Sequence, residues 1–133
     1  SGANTPEVVA VETMTYLLEG KYEKVAENVL IPVDAKTEDE IKESKEKGIE
    51  TIKEGMSSKY GPYSDLLEQI EENKGFKKVK AKPYNEESIA YYANGPEGDR
   101  ASVDLIIVCK NGEELDGKYI PLRKRDGKWK VKL

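Results

Sequence analysis

Carboxylates, tyrosines and one cysteine are the side chains of this sequence that could take part in proton transfer or nucleophilic chemistry. The 133 residues contain no histidine, which removes the commonest general base and the commonest zinc ligand together. Acid–base catalysis without histidine would need a carboxylate as the base and an acidic group as the proton donor, both in an apolar pocket. Asp104 and a tyrosine could in principle supply these two groups. Asp104, however, alternates with Val103 and Leu105 in an apolar segment, so we expect its side chain at the surface. We therefore predict no catalytic residue.

The other reactive groups give weaker signals still. Cys109 stands in "DLIIVCK", which is typical of a small apolar strand residue rather than of a nucleophile, and a single cysteine excludes an internal disulfide. The acidic run from Thr37 to Glu40 lacks the spaced ligands and the glycine of a calcium loop. The sequence also has no glycine-rich phosphate loop. We expect neither a metal ion nor a cofactor.

Charge is distributed unevenly along the chain. Hydrophobic residues make up 37% and charged residues 36% of the sequence, so the core must be lean and the surface highly charged. Residues 1–75 hold 9 basic and 17 acidic side chains, whereas residues 76–133 hold 13 basic and 9 acidic ones. The net charge of −4 therefore conceals an acidic first half and a mildly basic second half. No apolar run approaches the roughly 18 residues that a membrane-spanning helix requires.

The acidic half begins with the period of helices. Thr5 is a predicted N-cap, Pro6 suits the first helical position, and Gly20 is the stop signal of this opening helix. Apolar residues recur between them at steps of three and four. The segment "KYEKVAENVL" predicts a second, short helix that ends before Pro32.

A long charged helix should follow. Thr37 and Glu40 form a capping-box pattern directly before the first apolar residue of this helix. One apolar stripe then runs along it: Ile41, Gly48 or Ile49, Ile52, Met56 and Tyr60. The pair Gly61-Pro62 should break or kink the helix, and "YSDLLEQIEENKG" adds a further helical segment before Gly75.

After Gly75 the pattern changes to the alternation of strands. The segment "ASVDLIIVCK" is apolar on both faces in its middle, which suits a central strand. Asn111-Gly112 is a hairpin signal, but Asp116-Gly117 follows closely and leaves the register of that hairpin open.

The last stretch, "RKRDGKWKVKL", could be a basic recognition tail or a final hairpin. A two-residue turn at Asp126-Gly127 would pair Arg125 with Lys128, Lys124 with Trp129, Arg123 with Lys130, Leu122 with Val131 and Ile120 with Leu133. One face then carries Ile120, Leu122, Trp129, Val131 and Leu133, and the other carries Arg123, Arg125, Lys128, Lys130 and Lys132. Such strict sorting is required of a half-buried strand and not of a nucleic-acid-binding tail. We predict a hairpin with a solvated basic face and no nucleic-acid partner.

Several segments of the chain resemble one known superfamily. They are "TPEVVAVETMTYLLEGKYEKVAENV", "GFKKVKAKPYNEES", "DRASVDLIIVCKNGEE" and "IPLRKRDGKWKVKL". Helices followed by an antiparallel sheet that closes on "DGKWKV" resemble the nuclear transport factor 2-like superfamily, the cystatin-like α+β roll. Within it, the chain is most similar to a bacterial family known only as domain of unknown function 4878. It departs from that family by an insertion, "IAYYANGPEG", between Ile89 and Gly98.

The resemblance implies an α+β fold in which N-terminal helices pack on a curved antiparallel sheet to form a cone. Residues 1–133 would form a single domain, with residues 1–5 as a tether or as the trimmed end of an expressed fragment. Relatives place either a ligand or a catalytic site in the mouth of the cone, so fold alone does not fix function. A reaction like that of the isomerases and cyclases of the superfamily is less favoured, because their histidine–aspartate pairs cannot be copied without histidine.

An apolar or amphiphilic ligand in the mouth is the first functional hypothesis. Tyrosine offers an apolar body with a polar tip, which is useful in a pocket. The aromatic set comprises Tyr16, Tyr60, Tyr63, Tyr91, Tyr92 and Trp129. From it we predict Tyr16, Tyr60, Tyr91 and Trp129 as ligand-binding residues; the alternative is that these rings fill the core and its rim.

A protein partner is the second hypothesis. Ile106, Val108 and Tyr119 fall opposite, or partly opposite, the predicted core positions and could form an interface, with a homodimer as the first possibility. The competing interpretation is that a flanking loop covers Ile106 and Val108.

Localisation follows from the resemblance, because proteins of that family are often lipoproteins of the cell envelope. We expect this protein at the periplasmic or outer side of the envelope. A lipid-modified cysteine upstream of residue 1 would then be its only connection to a membrane.

Overall fold

The computed structural model describes residues 3–83 and 98–132. It contains helices α1 (Pro6–Leu18), α2 (Tyr22–Glu27), α3 (Glu38–Ser57) and α4 (Ser64–Glu72). These are followed by strands β1 (Phe76–Ala81), β2 (Arg100–Cys109), β3 (Glu114–Arg125) and β4 (Lys128–Val131). The predicted α+β class, with helices first and an antiparallel sheet second, is confirmed. In the described ranges no helix is both long and apolar enough to cross a membrane.

The helix boundaries follow from local chemistry. The hydroxyl of Thr5 accepts a hydrogen bond of 3.3 Å from the amide of Val8, which satisfies one free donor at the start of α1. At α3 the capping box is complete: the amide of Glu40 donates to the Thr37 hydroxyl, and the Glu40 carboxylate accepts from the Thr37 amide. Gly61-Pro62 lies between α3 and α4, so the predicted break is confirmed.

The sheet is a meander in the order β1-β2-β3-β4, with every neighbouring pair antiparallel. Asp116-Gly117, which left the register of the second hairpin open, is not a turn. It lies inside β3, where the pairing with β2 shifts between Asp104 and Ile106. The next residue, Lys118, has a φ of 65°, as is common at an irregularity of this kind. A close approach explains the glycine itself, because a Cβ at Gly117 would stand 3.1 Å from the carbonyl oxygen of Leu105.

Four of the five pairs predicted for the last hairpin are present; the fifth, Ile120 with Leu133, falls outside the described residues. Leu122 pairs with Val131, Arg123 with Lys130, Lys124 with Trp129, and Arg125 with Lys128. Asp126 and Gly127 have φ values of 52° and 77°, which a two-residue turn of this hand requires at both central positions.

The outer edge of β4 is covered by two segments from the first half of the chain. The amide of Val131 donates to the carbonyl of Asn28, and the Val131 carbonyl accepts from Leu30. Nearer the turn, the amide of Trp129 donates a bond of 2.6 Å to the side chain of Asn4. Asn4 and Thr5, in the segment that the sequence suggested as a tether, therefore contact the sheet and cap α1. A covered edge cannot recruit a further strand.

One side of the predicted hairpin is less solvated than expected. Arg123, Arg125 and Lys130 are half-buried. The guanidinium of Arg125 donates to the carbonyl of Ile31, and the ammonium of Lys130 donates to the carbonyl of Glu27. The sequence prediction of a fully solvated basic face is wrong for these residues. For Arg125 and Lys130 the cause is the end of α2 and the α2–α3 connection, which offer backbone carbonyls to these two cations. The guanidinium of Arg123 instead donates to the carbonyl of the preceding Leu122.

The core lies between α1 and the inner face of the sheet. The odd-numbered residues of β2 supply most of it, and the side chains of Leu105, Ile107 and Cys109 are fully buried. Full burial of a leucine or isoleucine side chain contributes about 1.5–3 kcal/mol each. Cys109 is thus the apolar strand residue that the sequence predicted, and burial raises the pKa of its thiol, with a smaller contribution from the charge of Glu113.

Candidate functional site: an apolar cavity beside α3

A cavity of about 320 Å³ remains between the helices and the sheet. This volume lies within the range of roughly 300–1,000 Å³ that is typical of small-molecule sites. The lining residues come from three helices, the α3–α4 connection and the last two strands: Thr13, Leu17, Val25, Thr51, Ile52, Gly55, Met56, Pro62, Tyr63, Tyr119, Ile120, Pro121 and Val131. Most of these side chains are apolar, so the cavity offers a ligand an apolar environment.

Helix α3 forms one wall of the cavity. Ile52, Gly55 and Met56 are three and four residues apart and therefore share a face of the helix. Ile52 is buried, whereas Gly55 has no side chain, and a Cβ built on it would meet nothing within 4 Å. A glycine in a helix interior costs about 1 kcal/mol relative to alanine. Here it also leaves open the space that an ordinary core residue would fill.

The opposite wall is fixed by a short hydrogen-bonded chain. The hydroxyl of Thr13 donates to the carbonyl of Val9 at 2.7 Å and accepts from the side-chain amide of Asn28 at 3.1 Å. Both functions of this buried hydroxyl are thereby used within the protein. Thr13 accordingly contributes an apolar methyl group and no free polar atom to a ligand.

Tyrosine supplies the polar groups with which the cavity could orient a ligand. Burial raises the pKa of the Tyr63 phenol, so this hydroxyl stays neutral at physiological pH and can donate a hydrogen bond. Tyr119 is 61% exposed and stands at the rim. A ligand with an apolar body and one polar atom near Tyr63 would fit this distribution.

The chemistry available in the cavity favours binding over proton transfer. Within the described chain its lining contains no carboxylate and no amine; the titratable lining groups are the two phenols. Asp104, the carboxylate considered as a base, is exposed on β2 as the alternation predicted. Nor do the described residues bring together three or more histidine, cysteine, aspartate or glutamate side chains that could hold a metal ion.

Of the aromatic residues predicted for the mouth, Tyr16, Tyr60 and Trp129 do not line this cavity. Tyr16 is half-buried, with the ammonium of Lys24 at 5.4 Å from its ring centre, and Trp129 is half-buried, with Lys124 at 5.9 Å. Tyr60 is 90% exposed beyond the end of α3. Tyr91 falls outside the described residues. The ligand-binding role of these four residues stays a prediction.

Sequence reasoning did not predict the residues that line the cavity. Ile52 and Met56 lie on the predicted apolar stripe of the long helix and were interpreted as ordinary core, whereas Leu17 was not predicted to face inward. The informative residue is Gly55, because a glycine seven positions after Gly48 leaves that helix without side chains at two points of its length. Tyr63 belonged to the aromatic set but was not among the four residues chosen.

The reverse face of the sheet places the predicted interface residues among charges. Ile106 and Val108 are half-buried. Lys80 stands opposite Ile106, Glu114 stands opposite Val108, and their charged groups meet at 2.9 Å across β2. An ion pair therefore spans this part of the face, and the role of Ile106, Val108 and Tyr119 in an interface stays a prediction.

Comparison with known proteins relates this architecture to a solved structure. No family model matches the chain, and no curated protein matches it. A crystal structure from Campylobacter jejuni, of a protein provisionally named an NTF2-like transpeptidase, has a TM-score of 0.52 with this chain, at 16% identity over 92% of both chains. NTF2 abbreviates nuclear transport factor 2. The chain has a nuclear transport factor 2-like fold. At this identity the likeness concerns the fold alone.

The nuclear transport factor 2-like fold explains the position of the cavity. Helices α1 and α3 lie on the same side of the curled sheet, and the cavity occupies the space between α3, Ile120 and Val131. The expected cone is thus present, and the interior that adjoins β3 and β4 is incompletely filled.

Proposed function

We propose that this protein binds a small apolar or amphiphilic ligand in the cavity beside α3 and does not act as an enzyme. The observation that carries the proposal is the cavity of about 320 Å³ with its apolar lining. Well-packed domains seldom leave voids larger than a water molecule. The glycine at position 55 extends this one.

The energetics suit a ligand of moderate affinity. Burial of a methylene group contributes about 0.8 kcal/mol, so a chain of ten contributes about 8 kcal/mol. Association costs at least about 4 kcal/mol in lost translational and rotational freedom. The difference corresponds to a dissociation constant of about 1 mM, and a hydrogen bond to Tyr63, which contributes about 1 kcal/mol, would lower the constant to about 0.2 mM.

The proposal is tested by calorimetric titration with decanol, an uncharged alkyl probe. We expect saturable binding at one site in the wild type and at least a tenfold loss of affinity in Gly55→Leu, whose side chain would occupy the open space. Glu54→Leu is the matched control, because it adds the same side chain to an exposed position of the same helix. Absence of saturable binding, or equal binding by Gly55→Leu, would contradict the proposal.

We also propose the finer relationship that the sequence suggests, to the bacterial family known as domain of unknown function 4878, and a location at the cell envelope. Support for both comes from the quoted sequence segments alone. The test is fractionation of cells that express the full-length gene, with mass spectrometry of the protein. A lipid on a cysteine upstream of this domain is expected. An unmodified protein in the cytosolic fraction would refute the location.

A further inference from the structure

A second concave site lies on the other side of the α2–α3 connection. This groove has a volume of about 460 Å³ and runs between that connection, the start of α3 and the last hairpin. Its lining residues are Glu27, Val29, Leu30, Ile31, Pro32, Val33, Ala35, Ile41, Lys45, Arg125, Asp126, Lys128 and Lys130. We call it the basic groove, because four of these side chains are cations and two are carboxylates.

Two of the cations are held in place by the backbone. Lys130 donates a bond of 2.6 Å to the carbonyl of Glu27, and Arg125 donates to the carbonyl of Ile31. These bonds fix positive charge at the wall of the groove without neutralising it. In the described part of the chain the ion pairs join Lys21 to Glu19 and Lys80 to Glu114, away from the groove.

The cations of the groove repel one another. The pKa of Lys130 is lowered, first by desolvation and then by the charges of Lys128 and Lys45, while the nearby carboxylate of Glu27 acts in the opposite direction. The three lysines come from two different elements, α3 and β4, so the tertiary fold brings them together. An anion among them would relieve this repulsion and form charge-assisted hydrogen bonds.

An apolar strip adjoins the charges. Leu30, Ile31 and Ile41 line the groove and are half-buried, and Val33 is 75% exposed. An ordinary phosphate or sulfate would use the cations and leave this strip in water. A ligand that has both an anionic head and an alkyl chain would use both parts of the groove.

The surroundings argue against a membrane surface as the occupant. The adjacent hollow shares Pro32 and Ala35 with the groove, and its charged lining consists of three carboxylates, Asp34, Glu40 and Glu43, and one cation, Lys47. An anionic bilayer is flat and would approach these carboxylates together with the cations. A single molecule lying in the groove would meet its four cations and the apolar strip without approaching the carboxylates of the adjacent hollow.

We propose that the basic groove binds a single-chain amphiphile with an anionic head, the head lying among Lys45, Lys128 and Lys130 and the chain lying along Leu30, Ile31 and Ile41. The class includes fatty acids and alkyl phosphates. This site is separate from the cavity beside α3, and the inference does not depend on the function proposed for that cavity.

The test uses the Gly55→Leu variant, so that binding in the cavity does not contribute. We titrate the variant at neutral pH with four probes: decanoate, decyl phosphate, decanol and inorganic phosphate. The two anionic amphiphiles are kept below their critical micelle concentrations, and binding is followed by nuclear magnetic resonance. We expect decanoate and decyl phosphate to shift the methyl signals of Leu30, Ile31 and Ile41 at one site, with at least tenfold higher affinity than decanol or phosphate.

Two double variants test whether the affinity for decanoate depends on the cations of the groove. Lys45→Gln with Lys128→Gln removes two head contacts and should weaken decanoate about tenfold or more, on the scale of charge-assisted bonds. Lys53→Gln with Lys59→Gln makes the same change in net charge at exposed positions outside the groove and should leave binding unchanged. Equal losses in both double variants would overturn the proposal. Equal affinity for decanol, or for phosphate alone, would also overturn it. So would binding to anionic phospholipid vesicles without binding to monomeric decanoate.

Discussion

The side-chain amide of Asn28 donates a hydrogen bond of 3.1 Å to the hydroxyl of Thr13. These residues join the end of α2 to the middle of α1, and the backbone of Asn28 also accepts from Val131 of β4 at 2.7 Å. One asparagine therefore connects two helices and the last strand beside the cavity. The cavity wall is consequently held by a polar bond rather than by apolar packing alone.

Thr13→Val should destabilise the protein by about 1 kcal/mol, because the amide of half-buried Asn28 loses its acceptor. The free energy of unfolding in urea measures this loss. Thr15→Val is the matched control: its hydroxyl makes the same bond to the residue four positions earlier, at 2.7 Å to Val11, but receives none from Asn28. Equal losses in the two variants would show that the bond between Asn28 and Thr13 contributes nothing.

Gly117→Ala should destabilise the protein by about 1–3 kcal/mol, as overpacking of a core does. The new Cβ would stand 3.1 Å from the Leu105 carbonyl oxygen and from the Leu105 Cβ, in a paired strand that cannot easily move. Gly48→Ala is the contrast, because its Cβ meets nothing within 4 Å and helix propensity favours alanine. Urea denaturation should give a lower free energy of unfolding for Gly117→Ala and a higher one for Gly48→Ala, each relative to the wild type. A Gly117→Ala protein as stable as the wild type would show that the irregularity in β3 is loosely packed.

Cys109 should react with a thiol reagent only when the sheet opens. Its side chain is 0% exposed and burial raises the pKa of the thiol, so access and thiolate formation are both restricted. We expect labelling in native buffer to be at least about a hundredfold slower than in urea, as for a core strand that opens rarely. A native rate close to the unfolded rate would mean that β2 is not part of the stable core.

Tyr63 should make stability fall at high pH. Its pKa is raised above the ordinary value of 10.0 by burial, so above that pH the unfolded state loses the phenolic proton first. Stability from this residue is therefore constant below pH 10 and decreases as the pH rises toward the native pKa. The urea midpoint of the wild type minus that of Tyr63→Phe should fall as the pH rises from 8 to 11. A constant difference would contradict burial of the phenol.

Sequence reasoning succeeded where structure is decided by neighbouring residues. The capping box at Thr37 and Glu40, the break at Gly61-Pro62 and the register around Asp126-Gly127 depend on contacts within a few positions, and all three are confirmed. The surface position of Asp104 followed from strand alternation, which is equally local.

The parts that sequence reasoning missed depend on distant segments. Asp116-Gly117 has the composition of a turn, but the approach of Leu105 gives this glycine its role inside β3. The cations Arg125 and Lys130 were expected in solvent, and the connection from α2 to α3 partly covers them. The cavity reaches α3 because Gly55, between Ile52 and Met56 on the lining face, adds no side chain. A stripe of residues in one helix does not reveal how closely the neighbouring elements approach it.

The most direct test of the central proposal is a methyl nuclear magnetic resonance titration of the wild-type protein with decanol. We predict that the methyl groups of Leu17, Ile52 and Met56, which line the cavity, shift together and saturate at one molecule of decanol per protein. Shifts confined to exposed Val33, or shifts of the cavity methyl groups that never saturate, would contradict ligand binding in the cone.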